Sequence, residues 1–191
     1  MRKSLSEREQ NAIRKKLIDS CRICWTRYGY KKTGVAELAS RSGIATGTFY
    51  AFFPSKEMLF METADTFVKE LYALMATCKP EAPTKYNFAD GLKKCVDAMF
   101  KNPWIFSLRA DLETFLRKLP EDYLEKDFQK DVLDIATVVD LYGLIPKVPM
   151  EEITAVFHTL LMSIYLTDII GQPHKQALTL LIDSVIPNLF I

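Results

Sequence analysis

The run TGVAELASRSGIATGTFYAFFPSK, Thr33–Lys56, decides the fold. It holds two short helix signals joined by a turn, with a third helix starting at its end. Leu38 and Ala39 stand where the first short helix must pack, and Ala39 is small enough for a close crossing. Gly43 supplies the left-handed residue that ends a helix, and Ile44 plugs the turn. A second short helix is predicted over about Thr46–Phe53, with Phe49 and Phe53 four apart on one face. Helix, glycine turn and helix in this order make a helix-turn-helix pattern.

The charge of the run points to nucleic acid. From Leu38 to Lys56 there is no Asp or Glu. A solvated helix favours acid in its first turn, where the macrodipole rewards it. A surface that meets phosphate cannot keep acids. Glu37, three residues after Gly34, is expected to cap the start of its own helix.

Residues from about Ile13 to Phe60 resemble the amino-terminal DNA-binding domain of the tetracycline-repressor (TetR) family. The likeness rests on an amphipathic leading helix ending in Tyr28-Gly29-Tyr30, then Thr33, Glu37-Leu38-Ala39 and Gly43-Ile44. Gly47-Thr48-Phe49-Tyr50, Phe53 and Ser55-Lys56-Glu57 complete it. It covers roughly a quarter of the chain, and its force is that many spaced positions agree in order. The remainder matches the family only in length and helical character.

Composition agrees with this division. The chain has 191 residues, 49% of them apolar, enough for one small DNA-binding domain and one larger helical domain. The net charge of +1 hides an asymmetry. Residues 1–56 hold twelve Lys/Arg against four Asp/Glu, and the rest holds thirteen against twenty. A basic module joined to an acidic one fits an anion-binding head on a differently charged partner domain. The expected domains are 1–54, the helix-turn-helix domain, and 55–191, a ligand-binding and dimerisation domain.

An all-α fold of about nine helices is predicted, with no strand signal surviving the helical periodicity. A basic tail occupies residues 1–5. The helices run over about Ser6–Tyr28, Val35–Ser42, Thr46–Phe53, Ser55–Cys78, Thr84–Lys101, Pro103–Leu119, Glu121–Tyr142, Met150–Ile170 and His174–Asn188. Ser6 and Glu9 form a capping-box pattern. Gly29, Asn102-Pro103, Pro120 and Gly171 supply stops.

Four cysteines without a preceding apolar leader fit a reducing cytoplasm. Cys21 and Cys24 have the spacing of a redox or zinc pair. They fall in mid-helix, where no helix terminus stabilises a thiolate, and no second Cys/His pair stands at useful spacing. With Ile13, Leu17 and Tyr28 they form one packing stripe. A thiol or metal sensor remains the alternative from a different class, beside a DNA-binding activator. No metal or cofactor is expected. His158 and His174 lie on different helices without a nucleophile beside either, and no glycine loop for phosphate occurs, so an enzyme is not expected.

Ile153–Ile170 carries only His158 and Asp168 as ionisable groups. Length and apolarity alone would allow a membrane span. Three threonines and a serine, and a similarly apolar neighbour around Leu178–Val185, favour burial between subunits instead. A homodimer through about 150–170 and 174–188 is therefore expected, without a membrane. The resemblance implies the same. Two reading heads on a two-fold axis then require a near-palindromic duplex with half-sites roughly 34 Å apart.

The resemblance, carried over position by position, makes Thr33, Thr46, Gly47, Thr48, Tyr50 and Lys56 the candidate DNA contacts. Tyr50 offers a hydroxyl to a phosphate. Lys56, unfavourable in a first turn, makes sense beside a phosphate at the start of the fourth helix. Thr33 is expected to reach a phosphate, and Thr46 a base edge or a thymine methyl. Gly47 permits close approach. Ala45 departs from the usual Ser or Thr N-cap, weakening that helix start by about 1 kcal/mol. Ala51-Phe52 thins hydrogen-bond readout and shifts specificity towards methyl contacts and DNA shape. The resemblance also implies an inducer pocket between the fourth and eighth helices. Its candidates are Phe67, Met75, Phe100, Trp104, Phe128, His158 and Met162, suited to an apolar or aromatic ligand. His158 is either its polar anchor or a satisfied core histidine.

Overall fold

The computed structural model describes residues 5–191; the basic tail expected at residues 1–5 lies outside it except for Leu5. Among the described residues the chain is helical, with one isolated bridge between Pro146 and Phe190. It forms two compact units. One holds the chain through Phe67 together with Pro103–Leu119, the other Val68–Asn102 with Pro120–Ile191.

In the first unit, α1 (Glu7–Lys32) opens with the expected capping box. The Glu9 amide donates to Ser6 Oγ at 3.3 Å, and the Ser6 amide to Glu9 Oε2 at 2.8 Å. The helix breaks at Gly29, whose φ of 73° only glycine adopts freely. Then come α2 (Val35–Arg41) and α3 (Thr46–Phe49), joined through Gly43 at φ 73°. The Ile44 amide returns to Ala39 O at 3.0 Å, locking the turn. The start of α4 (Lys56–Cys78) follows, capped by Ser55 Oγ on the Met58 amide at 3.2 Å.

Two expectations are corrected here. The helix expected over Thr46–Phe53 has only one α-helical turn. Beyond Phe49 the amides of Ala51 and Phe52 bond three residues back and that of Phe53 four back, and Pro54 keeps the chain from continuing as a helix past Phe53. The helix expected over Pro103–Leu119 is a 3-10 stretch, Pro103–Asp111, followed by the short α6 (Leu112–Leu116). It packs in the first unit. Its rings Trp104 and Phe115 lie 5.8 and 5.1 Å from Phe60, which stacks on Trp25 at 4.1 Å. Trp25, Phe49, Phe53, Phe60, Trp104 and Phe115 thus form an aromatic core under the helix-turn-helix.

The second unit contains α5 (Lys85–Phe100), α7 (Tyr123–Leu141), α8 (Met150–Met162), α9 (Thr167–Ile170) and α10 (His174–Val185), with the end of α4. Its core includes Phe88, Val96, Ile135, Val139, Tyr142, Phe157 and Phe190. Tyr142 donates its hydroxyl to Met75 O at 2.8 Å, and α5 passes close by at Gly91. A Cβ there would sit 2.7 Å from Met75 Sδ. The helix expected over Met150–Ile170 is interrupted by a 3-10 turn, Ser163–Leu166. Ser163 and Thr167 spend their hydroxyls on the Leu160 and Ile164 carbonyls at 2.6 Å, competing with the helical ladder. Among the described residues, Met150–Ile170 is the stretch long and apolar enough to cross a membrane by length and composition.

Replacing Phe115 by Ala removes a ring in contact with Trp25, Tyr30 and Phe60. A loss of about 3–5 kcal/mol is expected, read from urea unfolding. A loss under about 1 kcal/mol would show that the 103–119 segment does not support the first unit.

Candidate nucleic-acid interface

The α2–α3 pair turns Leu38, Ala39 and Phe49 inward, all without exposed surface. Ser42 Oγ donates to Leu38 O at 2.8 Å and reaches Ser20 Oγ of α1 at 3.1 Å. With these residues fixed, Ala45, Thr46, Gly47, Tyr50 and Ala51 form the exposed edge. No acid interrupts it. Thr48 is half-buried. A Cβ placed on Gly47 would meet nothing within 4 Å in the protein, so no internal contact requires its bareness. Tyr50 is 57% exposed, with its ring edge-on to Phe49 at 5.5 Å. A cleft of about 330 Å³ flanks Thr48, Ala51 and Phe52 on the α1 side, completed by Leu5, Gln10, Asn11 and Arg14.

The other two candidates have internal work. Thr33 is fully buried, and its hydroxyl donates to Gly29 O at 2.8 Å. It closes the end of α1 and does not offer the hydroxyl outward. Lys56 donates from Nζ to Tyr30 O at 2.7 Å and Thr33 O at 2.8 Å, and sits 4.1 Å from the centre of the Tyr30 ring. It ties the start of α4 to the carbonyls where α1 ends, a favourable place for a cation. Burial holds its ammonium below the usual lysine range.

Beside it, Tyr30 donates its hydroxyl to Glu57 Oε1 at 2.6 Å, and Lys118 approaches the same oxygen at 3.7 Å. Burial pushes the Glu57 carboxyl up, but the hydrogen bonds, led by that from Tyr30, outweigh it and leave it below the usual carboxylate range. Sequence reasoning missed this clamp, because Glu57 and Lys118 are far apart in the chain. It also passed over Arg41, the one charged residue between Leu38 and Ser55, which lies 3.6 Å from Glu37. Glu37 does not cap α2: Gly34 stands at that N-cap with no side-chain bond.

The alternative thiol pair lies in the core. Cys21 and Cys24 are fully buried. Burial pushes the Cys21 thiol up to about 12 and raises Cys24, so neither supplies a thiolate. No group of three or more potential metal ligands occurs among the described residues.

The candidate pocket residues divide between the units. Phe67 and Trp104 are core rings of the first unit, 5.7 Å apart. In the second, Met75 is buried under Gly91. Phe100 lies 6.2 Å from the His174 ring. Phe128 stands edge-on to His158 at 5.5 Å, and His158 Nε2 is 2.9 Å from Asp131 Oδ2. Met162 is exposed.

The model of the bacterial regulatory proteins of the tetR family matches residues 17–63. Over 59 residues the chain is 41% identical to the uncharacterized HTH-type transcriptional regulator YhgD of Bacillus subtilis (strain 168). That match spans 30% of this chain and 31% of the relative. A TetR transcriptional regulator from Rhodococcus sp. RHA1 shares the fold with a TM-score of 0.64 at 17% identity, covering 95% of this chain and 99% of that one. RolR, solved with resorcinol, gives a TM-score of 0.62 at 17% identity, over 95% and 90% of the two chains.

Tyr50→Phe and Lys56→Ala separate the two kinds of candidate. Tyr50→Phe is expected to weaken duplex binding with an unchanged thermal midpoint, since its hydroxyl has no internal partner among the described residues. Lys56→Ala is expected to weaken binding and also to lower stability by about 1–3 kcal/mol, by stripping a charged donor from two carbonyls. An unaltered midpoint for Lys56→Ala would contradict the clamp.

Proposed function

From the match of residues 17–63 to the tetR family of bacterial regulatory proteins, we propose that the chain is a dimeric repressor of that family. It binds a near-palindromic operator and is released by a small apolar or aromatic ligand. The observation behind this is the acid-free exposed edge of Thr46, Gly47 and Tyr50 on a rigid aromatic core. Thr46 and Gly47 enter the major groove, Thr46 reading a base edge or a thymine methyl. Tyr50 and Thr48 hold phosphates. Lys56 acts at one remove, since two of its three donors serve α1; the third is left for a phosphate. Arg41 joins the phosphate contacts.

Doubling follows from the carboxyl-terminal helices. Met162, Leu166, Ile169 and Ile170 are exposed on and beside α9, and Leu180 and Leu181 on α10. Ile169 and Leu180 show 70% and 68% of their surface to solvent, and the gathering of six such side chains on and beside two consecutive helices supports an interaction face. Pairing these helices across a two-fold axis buries them and sets two reading heads side by side. The chain works in the cytoplasm, where its DNA lies.

The functional division falls at residues 54 and 55, and α4 runs on from Lys56 to Cys78. A ligand held by the helical domain acts by preferring the arrangement of α4 in which the heads no longer match two successive grooves. One similar structure, RolR, was solved with resorcinol, which supports a small aromatic effector here.

Selection of bound fragments from random duplex DNA tests the proposal. Enrichment of an inverted repeat with half-sites roughly one helical turn apart or slightly more is expected. Binding that depends on salt but enriches no sequence would contradict operator recognition.

A further inference from the structure

Thr154 lies on α8 without exposed surface, and its hydroxyl has no hydrogen-bond partner. Thr63, Thr137 and Thr159 return theirs to the carbonyl four residues back, at 2.8 to 2.9 Å. Thr154 does not. Buried polar groups are almost always paired, so an orphan asks for a partner.

His158 follows one turn later on the same face. Its Nε2 is 2.9 Å from Asp131 Oδ2 on α7. A carboxylate accepts, so Nε2 bears the proton, and in the neutral form of the ring Nδ1 is an acceptor. Nδ1 makes no hydrogen bond among the described residues. α8 therefore carries a free hydroxyl and a free acceptor nitrogen one turn apart, with the Phe128 ring 5.5 Å from the imidazole.

We propose that Thr154 and His158 are the two polar anchors of a site for a neutral ring compound bearing a hydroxyl, of the phenol or naphthol kind. The proposal rests on the ligand-released repressor described above and names its effector class. One hydroxyl satisfies both anchors, donating to His158 Nδ1 and accepting from Thr154 Oγ1. The Phe128 ring, edge-on to His158, packs against the ligand's ring. An anion fits poorly, because Asp131 stands beside the imidazole and Glu151 and Glu152 occupy the first turn of α8. A methyl ether fails because it has no proton for Nδ1.

The test is calorimetric titration of the full chain with 2-naphthol, 2-methoxynaphthalene and 2-naphthoate. Wild type, Thr154→Val and His158→Gln are compared, with thermal midpoints measured on each. 2-Naphthol is expected to bind wild type at least tenfold more tightly than the ether or the acid. Thr154→Val is expected to lose at least tenfold in 2-naphthol affinity while its own midpoint holds or rises, since no internal bond is removed. Equal affinity of wild type and Thr154→Val for 2-naphthol would overturn the site. So would a wild type that binds the ether as well as 2-naphthol, or that binds none of the three.

Gel shifts on the selected duplex separate this from the parent reading. Release by other compounds, unaffected by Thr154→Val, removes the site and leaves the repressor. Thr154-dependent 2-naphthol binding that leaves the DNA complex intact keeps the site and removes ligand release.

Discussion

The ammonium of Lys56, held between the Tyr30 and Thr33 carbonyls and against the Tyr30 ring, is the contact on which the reading unit depends. The end of α1 exposes carbonyls with no helical partner, and the start of α4 would otherwise carry a cation against its own dipole. One side chain answers both. Tyr30 adds its hydroxyl bond to Glu57, so α1 and α4 are fastened at the point where the α2–α3 pair is inserted between them. The pair is too short to be stable alone. It is held by this clamp, by Ser42 on Ser20, and by the aromatic core beneath.

This division of labour explains the composition of the recognition edge. Structural charges are gathered behind it, in the Tyr30, Lys56, Glu57 and Lys118 cluster, and the edge itself is left with small and hydroxylated side chains. Such a surface carries no acid to repel a phosphate backbone. The Pro103–Leu119 segment contributes to the same cluster through Lys118 and to the core through Trp104 and Phe115.

Much of this was legible in the sequence. Gly29, Gly43 and the Ser6–Glu9 box are local signals, and each sits where the residues placed it. Thr46, Gly47 and Tyr50 are exposed as expected. What escaped was set by distant partners. Thr33 resembles a phosphate ligand in a linear reading, but its hydroxyl is spent on the end of α1, and Lys56 gives two of its three donors there. The Ser163–Leu166 break escaped because a threonine or serine that bonds its own backbone looks, in sequence, like one that faces a partner. The orphan hydroxyl of Thr154 has no linear signature either, since seven other threonines in helical register here bond to the preceding turn.

The α2–α3 edge is the surface proposed to touch DNA. Amide hydrogen exchange of the chain with and without a bound duplex measures this directly. Slowed exchange from Ala45 to Phe52, with none on α5, is the result the account predicts. An unchanged Ala45–Phe52 segment in a demonstrably DNA-bound chain would contradict it.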